Sequence, residues 1–355
     1  MMETQAVTTA YKNRATKFEA LVETAYTERN TFPGFEGTLE SAVKVHFSRM
    51  STQNHLWKRD TFRQLLLMMY AKKCYAVLRN PSYIEVLANI SAFGNKTVRI
   101  INTWTKDSLV AEGQLKSLIR HCFAQYEVPA FMENIFSGDS KVHMLWYIQL
   151  GRGDSVQNLC GFPVKFTARM AHEFRNTPGG YVIGKAIRRA QALGFGADAA
   201  RAEAIAWSSL SESFQQEEFH TSVVQFVVNV KEEVAFNVLQ HVLEYIVAMR
   251  NENAAFSMKG RTWTALVRQA NEWYLEMVKK REAEGNSQWK PAPIANYIVE
   301  DGDCTIKVIQ LTSSEALYEE GAEMSHCVAE YDDACEEGRA AIFSVRKFAN
   351  GKEGF

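Results

Sequence analysis

Along most of the chain apolar residues recur at helical spacing, and only near the C-terminus does the pattern change to alternation. Ala15 to Arg29 has helix-forming composition and runs into Phe32-Pro33-Gly34-Phe35, where proline and glycine both leave the helical ladder. Thr38 stands where an N-cap belongs, ahead of Leu39, Val43 and Phe47 at i, i+4 and i+8. Thr61 is read as the start of a longer helix whose stripe is Phe62, Leu65, Leu66 and Met69, with Lys72, Lys73 and Arg79 toward its C-terminal end. Pro81 to Phe93, Asp107 to Phe123, Pro129 to Phe136 and Val142 to Leu150 repeat the period, and Thr167 to Asn176 follows the glycine-bearing connectors at Gly151-Arg152-Gly153 and Gly161-Phe162-Pro163. Beyond Pro178-Gly179-Gly180, Ala186, Ile187, Ala190 and Leu193 share one helical face, which leaves Lys185, Arg188 and Arg189 on the other. Four more helices are predicted over Ala197 to Trp207, Gln215 to Val230, Glu232 to Arg250 and Trp263 to Arg281.

Glu282 to Pro293 is polar and twice interrupted by proline, the composition of a linker. After it Tyr297 to Val299 and Thr305 to Leu311 alternate in the β manner. A helix from Ser314 is expected to stop at Gly321, ahead of a polar turn carrying Met324, His326 and Cys327. A second helix ended by Gly338 and a strand from Ala340 to Phe348 complete the module. Asn350-Gly351 is a type I′ hairpin signal with no strand pattern after it, so a partner strand is expected from another protein chain or from sequence past Phe355. The predicted fold is mainly α: an irregular helical bundle or solenoid-like body followed by a small α+β module, incomplete in this chain. The expected segments are 1–125, 126–282 and 283–355.

A chain of 355 residues, 46% hydrophobic, can bury a large core. Forty basic against forty-one acidic residues give a formal charge of −1, so any polyanion site must be local. The N-terminus has no apolar leader, and the apolar runs Leu65 to Ala71 and Val223 to Val230 are too short to cross a bilayer; no membrane association and a cytoplasmic location are expected. Six cysteines scattered without CxxC pairs fit reduced thiols.

Two stretches carry candidate chemistry. His326 and Cys327 invite a nucleophilic, catalytic reading, since a Ser325 cap would set the thiol in a first helical turn. Against it, adjacent helical residues point about 100° apart, and surrounding carboxylates disfavour a thiolate. A metal site is not expected: Cys327 and Cys335 would lie about 12 Å apart on a continuous helix, whereas zinc ligands lie within about 4 Å of one another. Cys327, Tyr331 and Cys335 are read as one buried helical face. Lys259-Gly260-Arg261-Thr262, at the head of the Trp263 helix, suits a phosphate better, with Lys185, Arg188 and Arg189 as a second basic face for nucleic acid. Gly151-Arg152-Gly153 is too short for a dinucleotide fingerprint, and no cofactor is predicted.

Several stretches together resemble the PcfJ-like proteins of conjugative plasmids and other bacterial mobile elements. They are Trp146-Tyr147-Ile148-Gln149-Leu150-Gly151-x-Gly153, Phe162-Pro163-Val164-x-Phe166-Thr167-x-x-Met170-Ala171-His172-x-Phe174, Phe256 through Thr262, and Leu317-x-x-Glu320-Gly321-x-x-Met324-x-His326-Cys327-Val328-x-x-Tyr331. The likeness runs from about residue 120 onward. It implies Glu320, Gly321, Met324 and Tyr331 as motif residues, and a setting in horizontal transfer or phage defence with no fixed chemistry. The expectation is an accessory module that binds nucleic acid or protein through basic helix N-termini. Its alternatives are a Cys/His enzyme centred on His326 and Cys327, and a protein-interaction scaffold whose groove is lined by apolar and acidic groups.

Overall fold

The computed structural model describes residues 17–28, 34, 36–50, 56–284, 287–301, 304–324, 328–349 and 352–354. The chain divides into two compact units, Met1–Ala186 and Ile187–Phe355. The Pro33 corner, Ser325-His326-Cys327 and Asn350-Gly351 lie outside the described residues.

The first unit is helical. It contains α1 (17–27), α2 (Leu39–Arg49), α3 (Leu56–Ala71), α4 (Tyr75–Leu78), α5 (Pro81–Ser91), α6 (Ala111–Phe123), α7 (Lys141–Gly151) and α8 (Ala168–Arg175). The cap read from the sequence does its work, the Thr38 side chain accepting from Ser41 N, and the structure adds a second at Thr167, which accepts from Met170 N. Thr61 does not start α3, which begins at Leu56; Thr61 is buried within the helix, and Gly94 gives it room, because a Cβ there would meet Thr61 Oγ1 at 2.2 Å. The expected Pro129 helix is a 3-10 run over Ala130–Ser137 that opens on an i→i+3 bond from Met132 N to Pro129 O. Trp146 packs on Phe162 at 5.1 Å, and Phe162, Phe166 and Phe174 cluster edge to face, so the aromatic positions of two of the resemblance motifs are core. Gly151 belongs to the same construction. A Cβ on it would stand 2.5 Å from the Phe123 carbonyl, while its own carbonyl accepts from Gln125 and Tyr126.

In the second unit α9 (Ile183–Phe195, its first residues in the first unit), α10 (Ala199–Ala206), α11 (Glu217–Val228), α12 (Phe236–Glu252) and α13 (Trp263–Glu284) enclose a core including Ile205, Leu210, Val223, Val224, Leu243 and Leu266. The helix expected from Glu232 starts only at Phe236. The cause is remote in sequence. Arg201 on α10 donates to the carbonyls of Val227, Val228 and Val230 through Nη1 and to Glu232 O through Nη2 at 2.9 Å. It thereby satisfies orphan carbonyls at the end of α11 and fixes the connection that follows.

The chain then forms a four-stranded antiparallel sheet in the order β1 (Tyr297–Asp301), β2 (Cys304–Leu311), β3 (Ile342–Ala349), β4 (Lys352–Gly354), with α14 (Ser314–Met324), a 3-10 turn (Val328–Tyr331) and α15 (Asp332–Glu336) inserted between β2 and β3. Strand β4 corrects the expectation that β3 lacks a partner within the chain. Lys347, Phe348 and Ala349 pair with Gly354, Glu353 and Lys352, three residues too few and too polar to show alternation. Gly321 does not stop α14, because one interior glycine costs only about 1 kcal/mol against alanine and buried Leu317 and Tyr318 anchor the helix. Nor do Tyr331 and Cys335 share a buried face: the 3-10 turn breaks the period, leaving Tyr331 51% exposed and Cys335 2%. The proline-broken stretch is pinned to the sheet. Trp289 is buried, its indole N–H donates to Leu311 O at 3.2 Å, and Ser287 and Ser314 exchange hydrogen bonds.

Candidate functional site

Three places in the second unit bring together side chains with chemical potential. In the C-terminal module, Arg346 projects from β3 toward α14. Its Nη2 donates to Glu320 Oε2 at 2.5 Å, its Nη1 pairs with Glu323 at 2.5 Å, and its Nε reaches Ser344 Oγ at 2.9 Å. Glu320 is 8% exposed, so this motif residue is a buried carboxylate neutralised from the sheet. Met324 ends α14, with its carbonyl accepting from Asn237 at 3.4 Å, and Tyr318 OH donates to Asp332 at 2.9 Å. His326 and Cys327 follow directly, outside the described residues. Burial, ahead of the Asp332 charge, raises the Cys335 thiol, which is therefore no activated nucleophile.

The expected basic face on α9 does not form. Arg188 is fully buried: it donates to Leu210 O at 2.7 Å, to Gln191 Oε1 and Glu217 Oε1 at 2.9 Å each, and to Ser213 O at 3.3 Å, and it stacks on Phe214 at 4.4 Å. Because a guanidinium only donates, its 3.0 Å contact with His220 Nδ1 puts that ring's proton on Nε2. Burial, reinforced by Arg188, holds the His220 pKa down at about 4. Lys185 and Arg189 are half-buried and each has an interaction within the structure. At the other basic stretch Arg261 binds Ser257 O and Gln269 and lies 4.0 Å from the Phe256 ring centre, which leaves Lys259, exposed beside Gly260 at φ 75°, as the cation on the loop surface. Arg188 is thus withdrawn from any surface face, and the Arg261 guanidinium is engaged by its own loop and helix.

What the pattern missed is a cleft of about 660 Å³ between α10 and the α11–α12 connection. Ala204 and Leu239, both buried, contribute its apolar lining, and Trp207 and Phe236, half-exposed, add aromatic rings. Asp198, Glu203 and Glu233 supply carboxylates. The one lining cation, Arg201, has its guanidinium on backbone carbonyls, and Asp198 caps α10 by accepting from Arg201 N at 2.8 Å. Glu203 and Glu233 are exposed and form no salt bridge among the described residues. Only the Asp198 cap was available as a sequence signal, because the cleft depends on where Arg201 holds the 227–232 carbonyls.

Residues 264–354 match the family model described as PcfJ-like protein. That stretch is PcfJ-like. Comparison with curated proteins and with solved structures returned no match. The match starts within α13 and runs through β4, and it includes Trp289, Glu320 and Arg346. The Trp146, Phe162 and Phe256 motifs lie outside the match. So does the acidic, aromatic cleft, which belongs to the helices preceding the PcfJ-like stretch. Among the described residues no helix is long and apolar enough to cross a membrane.

Proposed function

We propose that this protein is a binding module for another protein, with the cleft between α10 and the α11–α12 connection as its docking site. The observation that carries this is the pair Trp207 and Phe236, which keep 50% and 56% of their surface exposed beside a lining of buried Ala204 and Leu239. Large aromatic surface left in water next to a preformed cavity is what a partner's side chain covers with most gain. The cleft has the apolar and acidic lining expected of an interaction scaffold. The nucleic-acid alternative is less favoured, since Arg188 is sequestered in the core and Arg261 is held by its own loop. A mobile-element or defence setting, as the PcfJ-like resemblance implies, is where the partner would be sought.

The test is site-specific photocrosslinking of the full chain in cells, with the crosslinker at Ala200 in the cleft and, as control, at exposed Leu109 in the first unit. A protein adduct specific to position 200 that disappears with Trp207→Ala is expected. Adducts to nucleic acid at position 200, or a protein adduct indifferent to Trp207→Ala, would refute the assignment.

A further inference from the structure

We infer that the cleft receives a lysine or arginine side chain flanked by apolar residues in a peptide segment of the partner; this rests on the protein-binding function proposed above and names its ligand. Charge complementarity is the first ground. Three carboxylates line the cavity against one arginine, in a chain whose formal charge is only −1 overall, so the negative bias is local. Within it the charges are not equivalent. Arg201 sits against the end of α11, where the helix dipole and four carbonyl oxygens already offset its charge. Asp198 is likewise offset at the N-terminus of α10, where it caps the first turn. The charge left to meet a ligand is that of Glu203 and Glu233. The adjacent connection does not cancel it: Lys231 and Glu232 are both exposed there, one of each sign, and neither lines the cavity.

The aromatic rings give the second ground. An ammonium or guanidinium over a ring face is attracted by the negative face of the ring's quadrupole, more strongly as water is excluded. The long stem of lysine or arginine can lie along Ala204, Val234 and Leu239 while its head reaches the carboxylates, the usual division of such side chains between apolar and charged surroundings. Other occupants fit worse. An acidic segment would meet the carboxylates of Glu203 and Glu233, a purely apolar one would strip them of water without replacing it, and a nucleic acid would bring phosphates against them.

The experiment pans a random-peptide display library on the full chain, with the Trp207→Ala/Phe236→Ala variant as counter-selection, and measures the recovered peptides by fluorescence polarisation. Peptides that depend on the two rings are expected to carry Lys or Arg beside Leu, Ile or Phe. They are expected to bind about tenfold more weakly to a Glu203→Gln/Glu233→Gln variant with an unchanged melting curve, and to weaken as salt is raised. The Glu203→Lys/Glu233→Lys variant is expected to turn the selection toward acidic peptides. Ring-dependent peptides that are acidic or uncharged would overturn the inference while leaving a protein-binding cleft in place. Recovery of no ring-dependent peptide would overturn both.

Discussion

Replacing Arg188 by methionine keeps the aliphatic stem and removes the guanidinium, and the structure sets the size of the loss. Five acceptors, Leu210 O, Ser213 O, Gln191 Oε1, the Glu217 carboxylate and His220 Nδ1, lose a charged donor in the interior of the second unit. Burial already pulls the Arg188 pKa below its ordinary value against the opposing pull of Glu217, so the arginine is held by its partners and not by solvent. Removing one member of a buried ion pair costs about 3–5 kcal/mol, since the other charge stays behind. Here about 3 kcal/mol is expected, because the Glu217 side chain remains 17% exposed and keeps its bonds to Gln191 and Thr221 at 2.9 Å each. Adding Glu217→Gln removes the stranded charge and should restore about 1–2 kcal/mol. Because the chain has two compact units, the assay is hydrogen exchange at the amides of α9 and α11 under increasing urea, with circular dichroism as the global measure. If Arg188→Met lowered protection by less than about 1 kcal/mol, or if the double variant were no more stable than the single, Arg188 would not be the tie described here.

Arg346→Met should loosen the PcfJ-like stretch by about 3 kcal/mol by leaving buried Glu320 unpaired, with part of the loss recovered by adding Glu320→Gln; exchange in β2 and β3 reports it. Gly151→Ala should cost about 1–3 kcal/mol, since the new methyl meets backbone at Phe123 and Ala124, and a lower melting temperature is the measurement. Stability should fall as pH drops from 6.5 toward 4. His220 and His46, both held near 4 chiefly by burial, stay neutral in the folded state while their unfolded counterparts take up protons, so this contribution is complete above the ordinary histidine value and lost on acidification. His220→Asn, which preserves an acceptor for Arg188, should flatten that slope in urea titrations at stepped pH.

Local chemistry determined much of the architecture. Helical periodicity, the Thr38 cap and the terminal alternation could be read in the sequence because each depends on residues within a few positions of one another. The PcfJ-like character was legible for the same reason, as a compact motif around Glu320 and Gly321. Which side chains face water was a different matter. On spacing alone Arg188 belongs to a polar face, yet the elements that bury it, from Leu210 to His220, follow more than twenty residues later. The break between α11 and α12 was legible, but not its length: α12 starts at Phe236 rather than Glu232, because an arginine from α10 takes the carbonyls of the connection. The cleft at Trp207 and Phe236 exists only once that break is made, so only the tertiary structure could place it: side-chain burial and concavity are properties of elements brought together, and nearest-neighbour pattern carries no record of which element will arrive.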